Sequence, residues 1–315
     1  MSLSASKHGH AKPSADGIYT DLSVLLKSRH WARDLKLFSR QAARSMLLGE
    51  TRSRYRGRGM EFEEVRTYRP GDDIRNIDWR VSARTGGTYT KLFCEERERP
   101  VHILLDQRST MFFGSHGRFK SVLAAEIATA LAWAALAGSD RIGGQIISDY
   151  SESDIRARRN KQAVLKFIHD IHETNHALPQ QIDPDQTLKS MAAMIEECRR
   201  ITRPGTAIFI VSDFHDFDQA AAKSLSTLGR HTDINLFQVI DPVEAQLPIA
   251  GNVAISNGVS RTSIDLSGKL QQIYSERIAA RDTLLKEAAT RARASFKQVT
   301  TEAEPRQLLN RIYGK

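Results

Sequence analysis

The sequence predicts an α/β fold: a mostly parallel sheet with helices on both faces, plus a smaller N-terminal helical and β segment. Two observations carry this. Beyond Pro100, four short runs, VHILL (101–105), RIGGQII (141–147), TAIFIV (206–211) and DINLFQVI (233–240), are almost continuously apolar. Strands buried on both faces read this way, whereas a half-solvated strand alternates. Helical patterns at 118–137, 160–172, 187–201 and 219–228 separate or flank those runs. Such alternation marks a sheet wound with crossover helices.

The remaining elements follow in chain order. Residues 1–17, MSLSASKHGHAKPSADG, are small and polar and predict a disordered tail. Apolar residues then recur at helical spacing (Leu22, Leu25, Leu26, then Leu35, Phe38, Ala42, Met46), predicting one or two basic amphipathic helices. GETRSRYRGRG (49–59) breaks that pattern. Stretches 60–68 and 88–95 carry β-like residues, with a Pro70-Gly71-Asp72 turn signal between them. These pieces make up a segment at 18–99, and the α/β domain follows at 100–300. Within it, NVAIS and TSIDL, separated by NGVSR, resemble a hairpin, and a long charged helix covers 268–294. A short apolar run lies near Phe296, and a C-terminal helix is expected at 301–315.

Composition narrows the function classes. Cys94 and Cys198 are the only cysteines, with no CxxC pairing, which argues against a disulfide framework or a cysteine-based zinc site and suits a reducing cytosol. The first twenty residues lack the apolar segment of a signal peptide, and the apolar run at 127–138 is shorter than the roughly 20 residues of a bilayer span. It reads as a buried helix, and the expected localisation is cytoplasmic. The net charge of +9 is uneven: between Leu25 and Arg58 ten Lys or Arg face only Asp34 and Glu50. That stripe suits nucleic acid, anionic lipid or an acidic protein, or is simply a solvated helix face and arm. Arg52, Arg54, Arg56 and Arg58 are its candidate nucleic-acid contacts, although aromatic platforms for stacking bases are sparse.

In a parallel sheet, ligands bind at the carboxyl ends of the strands. Asp106 closes the first run, Asp213 follows the third by two residues, and Asp241 follows the fourth, so these carboxylates should share one rim. The loop after Asp106, in LLDQRSTMFFGS (104–115), has the shape of a divalent-cation loop that ordinarily reads Asp-x-Ser-x-Ser, with Arg108 at the middle ligand position.

Several ordered blocks carry a resemblance to a known family: RGRGMEFEEVRTYRPGDDIRNIDWRVSARTG, LFCEERERPVHILLDQRSTMFFGS, VSDF and VIDPVEAQLP. Over about 57–248 the chain resembles domain-of-unknown-function family fifty-eight. These are von Willebrand factor A-like proteins that accompany MoxR-type AAA+ ATPases. The resemblance implies a Rossmann-like α/β core and a role as protein partner or adaptor in ATPase-assisted protein maturation. It also implies a metal-ion-dependent adhesion site, in which Asp106 and Thr110 match the first and last members of the first loop. Ser109 lies between them, Thr187 is the candidate second-loop threonine and Asp213 the third-loop aspartate. Arg108 breaks that pattern. A hard cation wants oxygen ligands at about 2 Å, and a guanidinium offers only donors. The repulsion between them is on the order of several kcal/mol. The expectation is therefore a degenerate site in which Arg108 pairs with Asp106 or Asp213. No cofactor is expected, and Mg²⁺ would be the ion if one bound, through Asp106, Thr110 and Asp213.

A second constellation is the dense charge of RPGDDIRNIDWRVSAR. Asp72, Asp73, Arg75, Trp79 and Arg84 are candidate binding residues, because aromatic and Arg side chains dominate interface hot spots. The other reading is an internal ion-pair lattice, favoured for Asp78 and Trp79. Finally, HETNH (172–176) matches H-E-x-x-H, which on a helix offers His172 and His176 to zinc with Glu173 as base and Glu196 as a further ligand. The nearby polar His169 and Asp170, the closely following Pro179 and the alternating strand–helix context weigh against a zinc hydrolase. The phosphate-binding loop, nucleophile elbow and dinucleotide-binding turn are all absent. The chain reads as a non-enzymatic adaptor.

Overall fold

The computed structural model describes residues 17–38, 60–95, 99–177, 189–245, 252–256, 261–265 and 268–314. All but Gly17 of the expected tail at 1–17, the later part of the N-terminal helical pattern, Arg52 to Arg58 and Thr187 lie outside the described residues. The chain divides into two compact units, one holding residues up to Phe38 together with those from Arg99 onward, the other 39–98.

In the larger unit, helices α1 (Leu22–Lys27) and α2 (Arg29–Ala32) come first. In the smaller unit, strands β1 (Met60–Thr67) and β2 (Tyr89–Glu95) pair antiparallel and are joined through a 3₁₀ turn (Ile74–Asn76) and helix α3 (Trp79–Thr85). The chain then returns to the larger unit with β3 (Pro100–Asp106), α4 (Lys120–Ala137), β4 (Arg141–Ile147), β5 (Glu152–Arg158), α5 (Lys161–Ala177), α6 (Met191–Ile201), β6 (Ala207–Ser212), α7 (Gln219–Leu228) and β7 (Asp233–Ile240). A short helix α8 (Pro242–Ala245), a hairpin β8 (Asn252–Ser256) and β9 (Arg261–Asp265), helix α9 (Gly268–Arg291), strand β10 (Ser295–Thr300) and helix α10 (Pro305–Tyr313) complete it.

The sheet has six strands in the order β10-β7-β6-β3-β4-β5, parallel except where β5 runs against β4. Alternate residues of each central strand enter different cores. Val101, Ile103, Leu105, Phe209, Val211, Phe237 and Val239 pack with α1, α2, α4, α5 and α10. Leu104, Ile208, Ile210, Ile234 and Leu236 pack with α6, α7 and α9 on the other face. Burial on both faces is why these strands are apolar throughout. At Gly144 an added Cβ would sit 2.7 Å from the Ile103 carbonyl and 2.8 Å from the Phe167 ring, so only glycine lets α5 lie this close to β4.

Helix α4 is by length and composition apolar enough to cross a membrane, yet 83% of it is buried inside the fold, where it serves as the central core helix. The segment expected at 18–99 is divided differently: α1 and α2 belong with the α/β unit, because Leu25, Ala32 and Leu35 are buried in its core. Leu22 and Leu26, counted in the apolar face of that helix, are instead 38% exposed. Two edge strands went unread in the sequence. β5 buries only Ile155 and shows no apolar run, and β10 buries only Val299 beside its half-buried neighbours, so the short apolar run near Phe296 was not assigned to a strand.

Candidate functional site

The parallel register places the strand ends side by side. Leu105 of β3 is level with Val211 of β6, and Ser212 with Gln238 of β7. Asp106, Asp213 and Asp241 therefore share one rim, and all three are buried. A buried carboxylate needs a partner, and the structure supplies each with one from within the chain.

Arg108 doubles back on Asp106 with two parallel bonds, Nε to Oδ1 at 3.0 Å and Nη2 to Oδ2 at 2.9 Å. Its outer edge donates a second pair to Asp216, Nη1 to Oδ2 at 3.0 Å and Nη2 to Oδ1 at 2.9 Å, and Nη1 also reaches the Lys189 carbonyl at 2.8 Å. All five guanidinium donors are thereby used. Asp106 accepts in addition the Arg108 backbone N–H at 3.0 Å and the Ser212 hydroxyl at 2.6 Å. Asp216 is held by the Met191 N–H at 2.8 Å, which ties the start of α6 to the same knot. Burial raises the pKa of Asp106, against the pull of Arg108. Burial also works against the charge on Arg108, yet Asp106 and Asp216 together raise its pKa.

Asp213 has a different cation. Lys120, at the first turn of α4, donates from Nζ to Asp213 Oδ2 at 2.9 Å and to Glu244 Oε1 at 2.7 Å, and its side chain is 1% exposed. Burial penalises both charges, but the attraction wins: the pKa of Asp213 falls below the ordinary carboxylate value and that of Lys120 rises. Asp213 Oδ1 caps the next turn through the His215 N–H at 3.0 Å. Asp241 is occupied by the Ser115 and Val243 N–H groups and the Thr301 hydroxyl at 2.8–3.0 Å. Ser109 donates its N–H to Asp149 at 2.9 Å, and the Thr110 hydroxyl, beside it in the turn, makes no hydrogen bond among the described residues.

This donor set does not fit a divalent ion. Both carboxylates that the resemblance assigns to a metal already carry an internal cation at hydrogen-bond distance, and a metal beside either would meet the repulsion of a guanidinium or an ammonium. Among the described residues no group of three or more His, Cys, Asp or Glu could hold a metal ion. The expected pairing of Arg108 with Asp106 is present; the alternative with Asp213 is not, since Lys120 takes that place. Lys120, Asp216, Glu244 and Ser212 went unread in the sequence. Lys120 left one signal, a lone cation opening an otherwise apolar helix. The second aspartate of SDFHDF left another.

The HETNH motif sits at the end of α5, where it clamps the N-terminal segment. The His176 Nε2 lies 2.9 Å from the Thr20 carbonyl oxygen, and His172 Nδ1 lies 3.1 Å from the Thr20 hydroxyl. Asn175 accepts the Thr20 N–H at 2.8 Å and donates to Gln107, next to Arg108, at 3.0 Å. Tyr19 stacks on the His176 ring at 5.0 Å. Glu196 is spent on Arg199 of its own helix at 2.7 and 2.9 Å. A zinc hydrolase gains no support from this geometry. Cys198 offers no nucleophile either, because burial pushes its thiol up to about 12.

In the smaller unit the aspartates of RPGDDIRNIDW are engaged within the segment, Asp72 and Asp78 half-buried and Asp73 exposed. Asp72 takes Arg66 at 2.7 Å and the Arg69 N–H at 2.9 Å. Asp73 caps the 3₁₀ turn through the Arg75 N–H, and Asp78 caps α3 through the Arg80 and Val81 N–H groups and pairs with Lys91 at 3.4 Å. Trp79, expected to anchor such a lattice, is instead 69% exposed, because it occupies the first helical position with its side chain outside the capped turn. Arg75 and Arg84 are exposed as well.

Comparison with known proteins gives the family without an activity. Uncharacterized proteins of Mycobacterium tuberculosis (strain H37Rv) and Mycobacterium bovis are each 28% identical over 228 residues, 72% of this chain and 70% of theirs. The solved structure of a conserved hypothetical protein BatB from Bacteroides thetaiotaomicron superposes with a TM-score of 0.43 at 12% identity, covering 68% of this chain and 96% of that one. The family model described as "Protein of unknown function DUF58" matches residues 64–284, well over half of the sequence, and the chain belongs to that family.

Proposed function

We propose that this chain is a non-enzymatic interaction module: a von Willebrand A-like domain whose adhesion rim is degenerate, working with a MoxR-type AAA+ ATPase in protein maturation or complex assembly. One observation carries the non-enzymatic part. Every carboxylate on the strand-end rim is tied to a cation, a hydroxyl or a backbone N–H of the chain itself. A catalytic acid or base needs a free position toward substrate, and these have spent theirs on one another. What the knot does is lock loops. Arg108 joins the ends of β3 and β6 to the start of α6, and Lys120 joins α4 to the loops after β6 and β7. A rim fixed in this way presents one stable surface to a protein partner, and prepaid ordering of loops strengthens association.

The sequence resemblance nominates the ATPase as that partner. Co-purification of the full chain with the MoxR-type ATPase of the same genome, in the presence of ATP, of ADP and of neither, tests it. Retention in at least one nucleotide state is expected, and loss of association in all three would sink the reading.

A further inference from the structure

Beyond the rim, the smaller unit carries a second surface whose chemistry is different. Ile74 and Trp79, five residues apart on successive turns, are 65% and 69% exposed. A single exposed apolar side chain is ordinary. These two stand out because of the charges around them. Asp72, Asp73 and Asp78 are turned into caps and into Arg66 and Lys91. Arg69, Arg75, Arg80 and Arg84 are all exposed, and none forms an ion pair among the described residues. The segment therefore spends its acids on its own backbone and cations, with Asp73 the exposed one, and displays four arginines along with an aliphatic and an indole side chain.

We propose that this face docks an acidic protein segment that carries apolar anchor residues. Unpaired guanidiniums gain most from carboxylates, which they grip two-pronged, and Trp with Arg is the composition of interface hot spots. The aliphatic Ile74 argues against single-stranded nucleic acid, since it has no ring on which a base could stack. The residues concerned are not those of the rim, so either reading can fail alone.

The test uses the full chain and fluorescein-labelled peptides of about fifteen residues, read by anisotropy up to about 100 µM. One peptide mixes Asp and Glu with Leu and Phe, a second has the apolar residues replaced by Ser, a third has the acids replaced by Lys, and a dT oligonucleotide serves as nucleic acid. The acidic–apolar peptide should bind, and the other three should bind at least about tenfold more weakly. Trp79→Ala, Ile74→Ala and the double variant Arg75→Glu/Arg84→Glu should each weaken binding about tenfold or more, with an unchanged thermal midpoint. No binding of the first peptide, equal binding of the Ser or Lys peptide, tighter binding of the oligonucleotide, or indifference to all three variants would overturn the proposal.

Discussion

The two charged regions of this protein use the same residue types for opposite ends. At the rim of the large sheet, Arg108 and Lys120 point inward, their side chains 3% and 1% exposed, each shared between two carboxylates. In the smaller unit Asp73 and Asp78 serve as caps, and Arg69, Arg75, Arg80 and Arg84 face solvent. The difference comes from what lies beneath. Six sheet strands with helices on both faces can bury a charge and so must neutralise it. The described part of the smaller unit, a two-stranded ribbon with one short helix, shows no such depth, and its acids serve the backbone instead. Density of charge in a sequence thus says little until one knows which sign is spent internally.

The contrast can be broken most forcefully at Arg108. Arg108→Met leaves Asp106 buried without its guanidinium and should destabilise the large unit by about 3–5 kcal/mol, seen as a lower denaturation midpoint. A loss below about 1 kcal/mol would mean that the knot is solvated and the burial illusory. Next comes acid sensitivity. His102 in β3 is buried, its Nε2 has no hydrogen-bond partner among the described residues, and burial lowers its pKa from 6.5 to about 4. The unfolded chain takes up that proton first, so the His102 contribution is complete above about pH 6.5 and declines as pH falls toward about 4, by on the order of 3 kcal/mol. Comparing denaturation of the native chain with His102→Gln at pH 7 and pH 4.5 isolates it, and equal acid losses in both would refute the assignment.

Effects in the smaller unit should be milder. Asp78→Ala removes the cap of α3 and should cost about 1 kcal/mol locally, visible as faster hydrogen exchange at the Arg80 and Val81 amides. Trp79→Ser should change stability by less than about 0.5 kcal/mol, since an exposed side chain has little packing to lose. A large loss there would return Trp79 to the internal lattice that the sequence first suggested.

How much of this could be read from residues alone follows the same division. The four central strands were legible because burial on both faces forces an unbroken apolar run, and the shared rim of Asp106 and Asp213 followed from parallel strand ends. β5 was not legible, because an edge strand that buries only Ile155 leaves no periodic trace. Arg108 announced itself by standing where the family resemblance expects a ligand hydroxyl. Lys120 did not, because its partners Asp213 and Glu244 lie 93 and 124 residues away, and only the fold brings them together. HETNH, weighed in the sequence as an unfavoured zinc motif, has another use: the spacing of a zinc helix is also the spacing that lets His172 and His176 reach one residue, Thr20, from the same face.

The central claim is that the chain's own cations occupy the place of a metal. Calorimetric titration of the native protein with Mg²⁺ and Mn²⁺ tests it most directly. The account predicts no stoichiometric binding heat from either ion, and tight one-to-one binding by the native chain would contradict it.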